Sequence, residues 1–175
     1  MTKNILVLFE KEQREVLQKL DELYDAIKHL KYEGKLFRGR NMRAVEKNVN
    51  FLKKELSQHI AIDDKVIFPF LEVHIPKLEP LLHFLRAECS EFELSLKNFE
   101  TLFQKLKDEE DGFIKGDIIH QLNEKGLYLI CIMRNHIQME IQSVYKPIER
   151  QLRPDEKKNL FRKCFAFMAG KMTKN

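Results

Sequence analysis

The chain has 175 residues, of which 43% are hydrophobic and 33% charged, and this length suffices for one domain that buries its own core. It contains 6 Gly, 5 Pro and no Trp, a composition typical of a helix-rich protein rather than of a sheet protein or a disordered chain. Its 31 basic and 27 acidic residues are interleaved, so the formal charge of +4 forms no concentrated basic face for nucleic acid. We therefore predict a globular, helical domain without a nucleic-acid partner.

An apolar segment at residues 5–9 is the only stretch that resembles a targeting or membrane segment. It is followed at once by the charged residues 10–12, whereas a membrane-spanning helix needs about 20 apolar residues. The three cysteines, Cys89, Cys131 and Cys164, have no metal-ligand spacing and lie among apolar residues, which indicates structural, reduced thiols. We expect a cytoplasmic protein that does not contact a membrane.

Apolar residues recur with the period of an α-helix in four long stretches, which are separated by pairs of glycine or proline. The pattern predicts helices at about 3–32, 41–73, 79–109 and 117–150, followed by a shorter fifth helix after Pro154. Long helices joined by short loops pack antiparallel. The predicted fold is therefore all-α, an up-down-up-down four-helix bundle with a short C-terminal extra helix.

The predicted bundle covers residues 1–152, and the remaining residues, 153–175, form the extra helix. This helix carries an apolar stripe that includes Leu160, Cys164 and Phe165. Such a stripe is usually buried within its own chain, so we expect it to pack on or near the bundle. A homodimer formed through this helix is the alternative.

Two histidine–acid pairs interrupt the apolar stripes of the second and fourth predicted helices. His59 and Asp63 are four residues apart, as are His136 and Glu140, and a turn of 100° per residue places each pair on the inward face. A buried carboxylate is costly unless it is paired or binds a metal. Because imidazole and carboxylate ligands suit iron, manganese or zinc, the pairs predict a metal site. Core hydrogen bonds without a metal are the alternative.

The segments HIAIDDKVIFPFLE (59–72) and NHIQMEIQSVYKPIE (135–149) resemble the His-x-x-x-acid motifs of the hemerythrin-like family of HHE cation-binding domains. The resemblance covers about residues 4–152. It implies a four-helix bundle that holds one or two non-haem iron ions, with manganese or zinc as alternatives. It also implies that the protein binds or senses O2, NO, or the redox or iron state.

Two positions depart from the family pattern. Gln13 stands where the first helix usually supplies a histidine, and it shares an inward stripe with Val16, Leu20 and Tyr24. On the third helix, His83 is the candidate for a further ligand, although it lies beside the apolar seam. A metal-depleted interaction or regulatory module is therefore a second hypothesis. An enzyme with di-iron oxidase or peroxidase-like activity is a third.

Overall fold

The computed structural model describes residues 5–172, with side chains at position 7 and over 9–170, and this part of the chain is helical apart from short connections, without strands. Its helices are α1 (Ile5–Tyr32), α2 (Arg38–Ile62), α3 (Phe68–His74), α4 (Glu79–Asp108), α5 (Gly112–Glu140), α6 (Lys146–Gln151) and α7 (Pro154–Met172). Short 3-10 turns lie at Lys35–Phe37 and Pro76–Leu78. Among these described helices, none combines the length and apolarity needed to cross a membrane.

Two π-helical turns join four of these helices into two continuous rods. The turn Asp63–Ile67 joins α2 to α3, and the turn Ile141–Tyr145 joins α5 to α6. Together with α1 and α4, these two make four long rods. The helix α1 lies against α2 and α5, and α4 lies against α5. The prediction of an all-α bundle is confirmed, although residues 1–4 and 173–175 of the predicted domains, and with them the predicted start of the first helix at residue 3, lie outside the described residues.

The fourth rod begins at residue 112, earlier than its predicted start at residue 117. Asp111 caps it, because its carboxylate accepts hydrogen bonds from the backbone N–H groups of Phe113 and Ile114 at 2.7 and 3.0 Å. This cap satisfies two of the free N–H groups of the first turn. Gly116, which the sequence suggested as part of a loop, therefore lies inside the helix.

The core consists of two apolar clusters along the bundle axis. The larger cluster fills the space between α1, α2, α4 and α5, with Leu23, Leu52 and Phe99 at its centre. The smaller cluster surrounds the two π turns and includes Leu160 and Cys164 of α7. The helix α7 thus packs Leu160 and Cys164 within the chain, at the end of the bundle where both histidine–acid pairs lie, whereas Phe165 of the same stripe is 43% exposed.

Candidate metal centre

Each histidine–acid pair lies where an α-helix passes into a π turn. Asp63 begins the first of these turns, and its carbonyl accepts a hydrogen bond from the N–H of Phe68, five residues later. Pro69 and Pro147 lie just beyond the two turns, in the first turns of α3 and α6. Proline lacks an N–H and its ring clashes with the carbonyl four residues earlier, so it disfavours regular α-helix there. The same irregularity, often found at functional sites, therefore accompanies both pairs.

The two pairs meet in the core. One ligand atom from each of His59, His136 and Glu140 lies within 4.8 Å of the others. The two carboxylate oxygens of Glu140 face different histidines: Oε2 is 2.8 Å from His59 Nε2, and Oε1 is 3.3 Å from His136 Nε2. Asp63 Oδ2 is 3.1 Å from His59 Nε2. Glu140 therefore lies between two imidazoles, and Asp63 extends the cluster at the His59 end.

Several oxygens of this cluster are buried without a well-oriented hydrogen bond. They are both carboxylate oxygens of Asp63, Oε1 of Glu140 and Oε1 of Gln13. Gln13 faces inward as predicted, and its Nε2 donates to Glu140 Oε2 at 2.9 Å. Leaving a buried acceptor unsatisfied costs about 1–3 kcal/mol. A cation would satisfy such oxygens, so the residues present fit a bound metal ion.

The charges of the cluster depend on one another. Burial alone would lower the pKa of His59, but the neighbouring Asp63 and Glu140 outweigh it and raise that pKa to about 9. Burial likewise opposes protonation of His136, yet contacts with Cys89 and Glu140 raise its pKa to about 11. Without a metal, both imidazoles are therefore protonated on both nitrogens and positively charged at neutral pH.

The two carboxylates behave differently from each other. Burial would raise the pKa of Glu140, but His59 and His136 outweigh it and hold that pKa well below its usual range. Burial and the charge of Glu140 together raise the pKa of Asp63 well above its usual range. The metal-free cluster thus holds an ionised Glu140 between two imidazolium groups.

The helix α4 contributes two residues that sequence reasoning did not assign to the site. Glu88 Oε2 is 3.2 Å from His136 Nδ1, and Cys89 Sγ is 3.7 Å from His136 Nε2. A carboxylate on one imidazole nitrogen fixes the ring and directs the other nitrogen toward a metal. The signal for Cys89 was its place on the apolar seam of α4 between Leu85 and Phe92, which indicated only a structural thiol.

His83 is not brought into the cluster. Its side chain is 66% exposed, and its Nε2 lies 3.7 Å from Glu79 Oε1 at the surface. The neighbouring Leu82 and Leu85 are fully buried and occupy the inward positions of this part of α4. His83 is therefore a surface residue that forms no part of the site in this structure.

Tyr24 also departs from its expected position. It is 40% exposed, whereas Leu23 is fully buried and fills the inward position on α1. Tyr24 therefore does not occupy the inward position that its spacing predicts.

Contacts across the bundle hold the first π turn against α4. Arg86 Nη1 donates to Glu72 at 2.5 Å, and Arg86 Nε donates to Asp64 at 3.1 Å. Its guanidinium also lies over the ring of Phe68, 5.4 Å from the centroid. These contacts flank the turn from both ends, so they help to keep Asp63 directed into the core.

A cavity of about 70 Å³ lies between α1, α2 and α7 beside the cluster. Gln13 and His59 line its inner end, and the exposed Glu15 and Gln58 line its outer end. Its wall combines apolar side chains such as Phe51 with the carboxylates of Glu12 and Glu55. A water molecule takes about 30 Å³ in the liquid, so the cavity has room for a diatomic molecule or for one or two waters.

The fold and the cluster together define a helical-bundle protein with a buried histidine–carboxylate site, a type of site that holds metal ions between facing helices. The family model for the hemerythrin HHE cation binding domain matches residues 4–148, so the chain belongs to this family. The family resemblance of the two sequence motifs is thereby confirmed. A search of curated protein sequences finds no match.

Proposed function

We propose that this protein binds one or two non-haem iron ions through His59, Asp63, His136 and Glu140, and that the bound iron binds or senses O2 or NO. The observation that carries the proposal is the set of buried oxygens of Asp63 and Glu140 that lack well-oriented hydrogen bonds. Imidazole nitrogen and carboxylate oxygen together are donors that iron accepts, and manganese and zinc accept them as well. Bound iron would supply a redox-active centre with an open position for a small ligand.

The cavity beside His59 supports a small ligand. Its volume of about 70 Å³ suits a diatomic molecule better than an extended organic substrate. For this reason we favour binding or sensing over an oxidase or peroxidase-like activity, which would need room for a substrate.

Gln13 supports a site that is incomplete compared with a centre in which every helix supplies a histidine. Its amide nitrogen is committed to Glu140, and an amide is a weaker ligand for a transition metal than an imidazole. We therefore propose that the second ion, if it binds, binds more weakly than the first.

The same contact is the evidence for the rival hypothesis. A hydrogen bond from Gln13 to Glu140, together with ion pairs from Glu140 to two imidazoles, is also how a metal-free core could satisfy that carboxylate. In that case the protein would be an interaction or regulatory module. Dimerisation through α7 stays a prediction. This helix already buries Leu160 and Cys164 within the chain, which leaves less apolar surface for a second copy.

Metal analysis separates these hypotheses. Protein purified without chelator, and protein reconstituted anaerobically with ferrous iron, should contain iron and should change its visible spectrum when O2 or NO is added. His136→Ala should lose most of this iron. His120→Ala is the matched control, since His120 lies on the same helix with its side chain 60% exposed.

Wild-type protein that holds no iron, manganese or zinc after reconstitution would refute the metal proposal and favour the module. Iron retained in full by His136→Ala would refute the site. Turnover of O2 or peroxide above that of free iron would favour the enzyme.

A further inference from the structure

Cys89 lies at the His136 end of the cluster. It is 7% exposed on α4, and its Sγ is 3.7 Å from His136 Nε2. The other ring nitrogen of His136 is already beside Glu88, at 3.2 Å. The nitrogen that faces Cys89 is therefore the one available to a metal.

A second group at this end also indicates a ligand. Glu140 is fully buried, and its Oε1 has no well-oriented hydrogen bond although it is 3.3 Å from the same His136 Nε2. Glu140 Oε2 is turned to the other end, 2.8 Å from His59. The His59 end of the cluster, with Asp63, thus offers nitrogen and oxygen donors. The His136 end offers nitrogen, oxygen and the sulfur of Cys89.

We propose that Cys89 is a metal ligand at the His136 end, where its sulfur, His136 Nε2 and Glu140 Oε1 form a mixed sulfur, nitrogen and oxygen subsite. With metal–sulfur and metal–nitrogen bonds of about 2.3 and 2.1 Å, two donors of one tetrahedral ion are about 3.6 Å apart. The observed separation of 3.7 Å between Sγ and Nε2 matches this value. This inference rests on the proposed function, since it adds a ligand to the same centre.

A sulfur ligand changes which metal the subsite prefers. Thiolate with imidazole favours zinc, cobalt or ferrous iron, whereas the carboxylate-rich His59 end suits harder ions. On binding, the Cys89 thiol and the His136 imidazolium each give up one proton to solvent, and their sulfur and nitrogen donate electron pairs to the metal; no oxidant or reductant is needed. The two ends of the centre should therefore differ in affinity and in metal preference.

Cobalt(II) tests the assignment, because its visible bands report binding and its near-ultraviolet charge-transfer band reports a sulfur ligand. Full-length wild-type protein titrated with cobalt should show both signals. Cys89→Ser should lose the charge-transfer band and bind cobalt at the His136 end at least tenfold more weakly, while keeping visible bands from the His59 end. Cys131→Ser and Cys164→Ser are the matched controls, one exposed and one buried, and should keep the charge-transfer band.

Three results would overturn the inference. Visible cobalt bands without a charge-transfer band in the wild type would refute the sulfur ligand and leave the proposed function intact. A charge-transfer band that persists in Cys89→Ser, or that disappears in Cys164→Ser, would assign the sulfur elsewhere. No cobalt bands at all would refute the proposed metal site itself, and with it this inference.

A second measurement covers the case in which Cys89→Ser fails to fold. In the variant with both Cys131→Ser and Cys164→Ser, Cys89 is the only thiol left. X-ray absorption of its cobalt complex should show a sulfur neighbour at about 2.3 Å. A cobalt shell of nitrogen and oxygen alone would refute the assignment.

Discussion

Metal binding by this cluster should depend steeply on pH. The two imidazoles have pKa values raised to about 9 and about 11 in the metal-free protein. A nitrogen must lose its proton before it can bind a metal, so each imidazole releases one proton on binding near pH 7. Affinity should therefore rise by about tenfold per pH unit for each imidazole, or about 100-fold for both, which is about 2.7 kcal/mol. The thiol of Cys89, which we propose as a ligand, would release a further proton and steepen this dependence.

Zinc titrations between pH 6.5 and 8, by competition with a chelator of known affinity, measure this slope. Calorimetry in buffers of different ionisation enthalpy counts the released protons directly. Raised pKa values place these protons on the folded, metal-free protein over the whole range, so the affinity should still be rising at the upper end. A histidine with an ordinary pKa would be neutral by then. An affinity that levels off near pH 7 would refute the charge state that we assign to the cluster.

Three substitutions test individual positions. Gln13→His should raise the metal content toward two ions per chain, because an imidazole replaces an amide beside Glu140, and elemental analysis that shows no gain would contradict this. Glu88→Gln should weaken zinc binding by about 10- to 100-fold, because His136 Nδ1 loses its charged partner. Competition with a chelator measures this affinity, and an unchanged value would mean that Glu88 does not orient the ring. His83→Ala should leave zinc affinity within about twofold and unfolding free energy within about 0.5 kcal/mol, as for other exposed positions; a large loss of metal would return His83 to the site.

The pattern of apolar residues was sufficient to predict the bundle and the inward direction of both histidine–acid pairs. Regular helix geometry held as far as Asp63 and Glu140, since each pair lies on the last turn before the helix widens. Beyond Asp63 the spacing of the buried residues changes locally. Regular α-helical spacing after His59 and Asp63 would place Val66 inward, but it is only half-buried, and Ile67 is fully buried in its place. A π turn adds a residue to the turn, so it shifts every later side chain around the axis.

Other features of the site depended on contacts between helices, which a single sequence does not specify. The seam position of Cys89 was visible, but its distance from His136 was not. The exposure of His83 follows from the rotation of α4 about its axis, which Leu82 and Leu85 fix by packing into the core. Gln13 was correctly placed inward, because the stripe on α1 is regular up to that point.

We propose that His59, Asp63, His136 and Glu140 hold a metal ion in the core. Crystals of protein reconstituted with ferrous iron, measured at the iron absorption edge, test it most directly through the anomalous difference map. We predict a strong peak beside Glu140, between His59 and His136. A map with no peak in the core, or with iron only at surface residues such as His83, would refute this metal site.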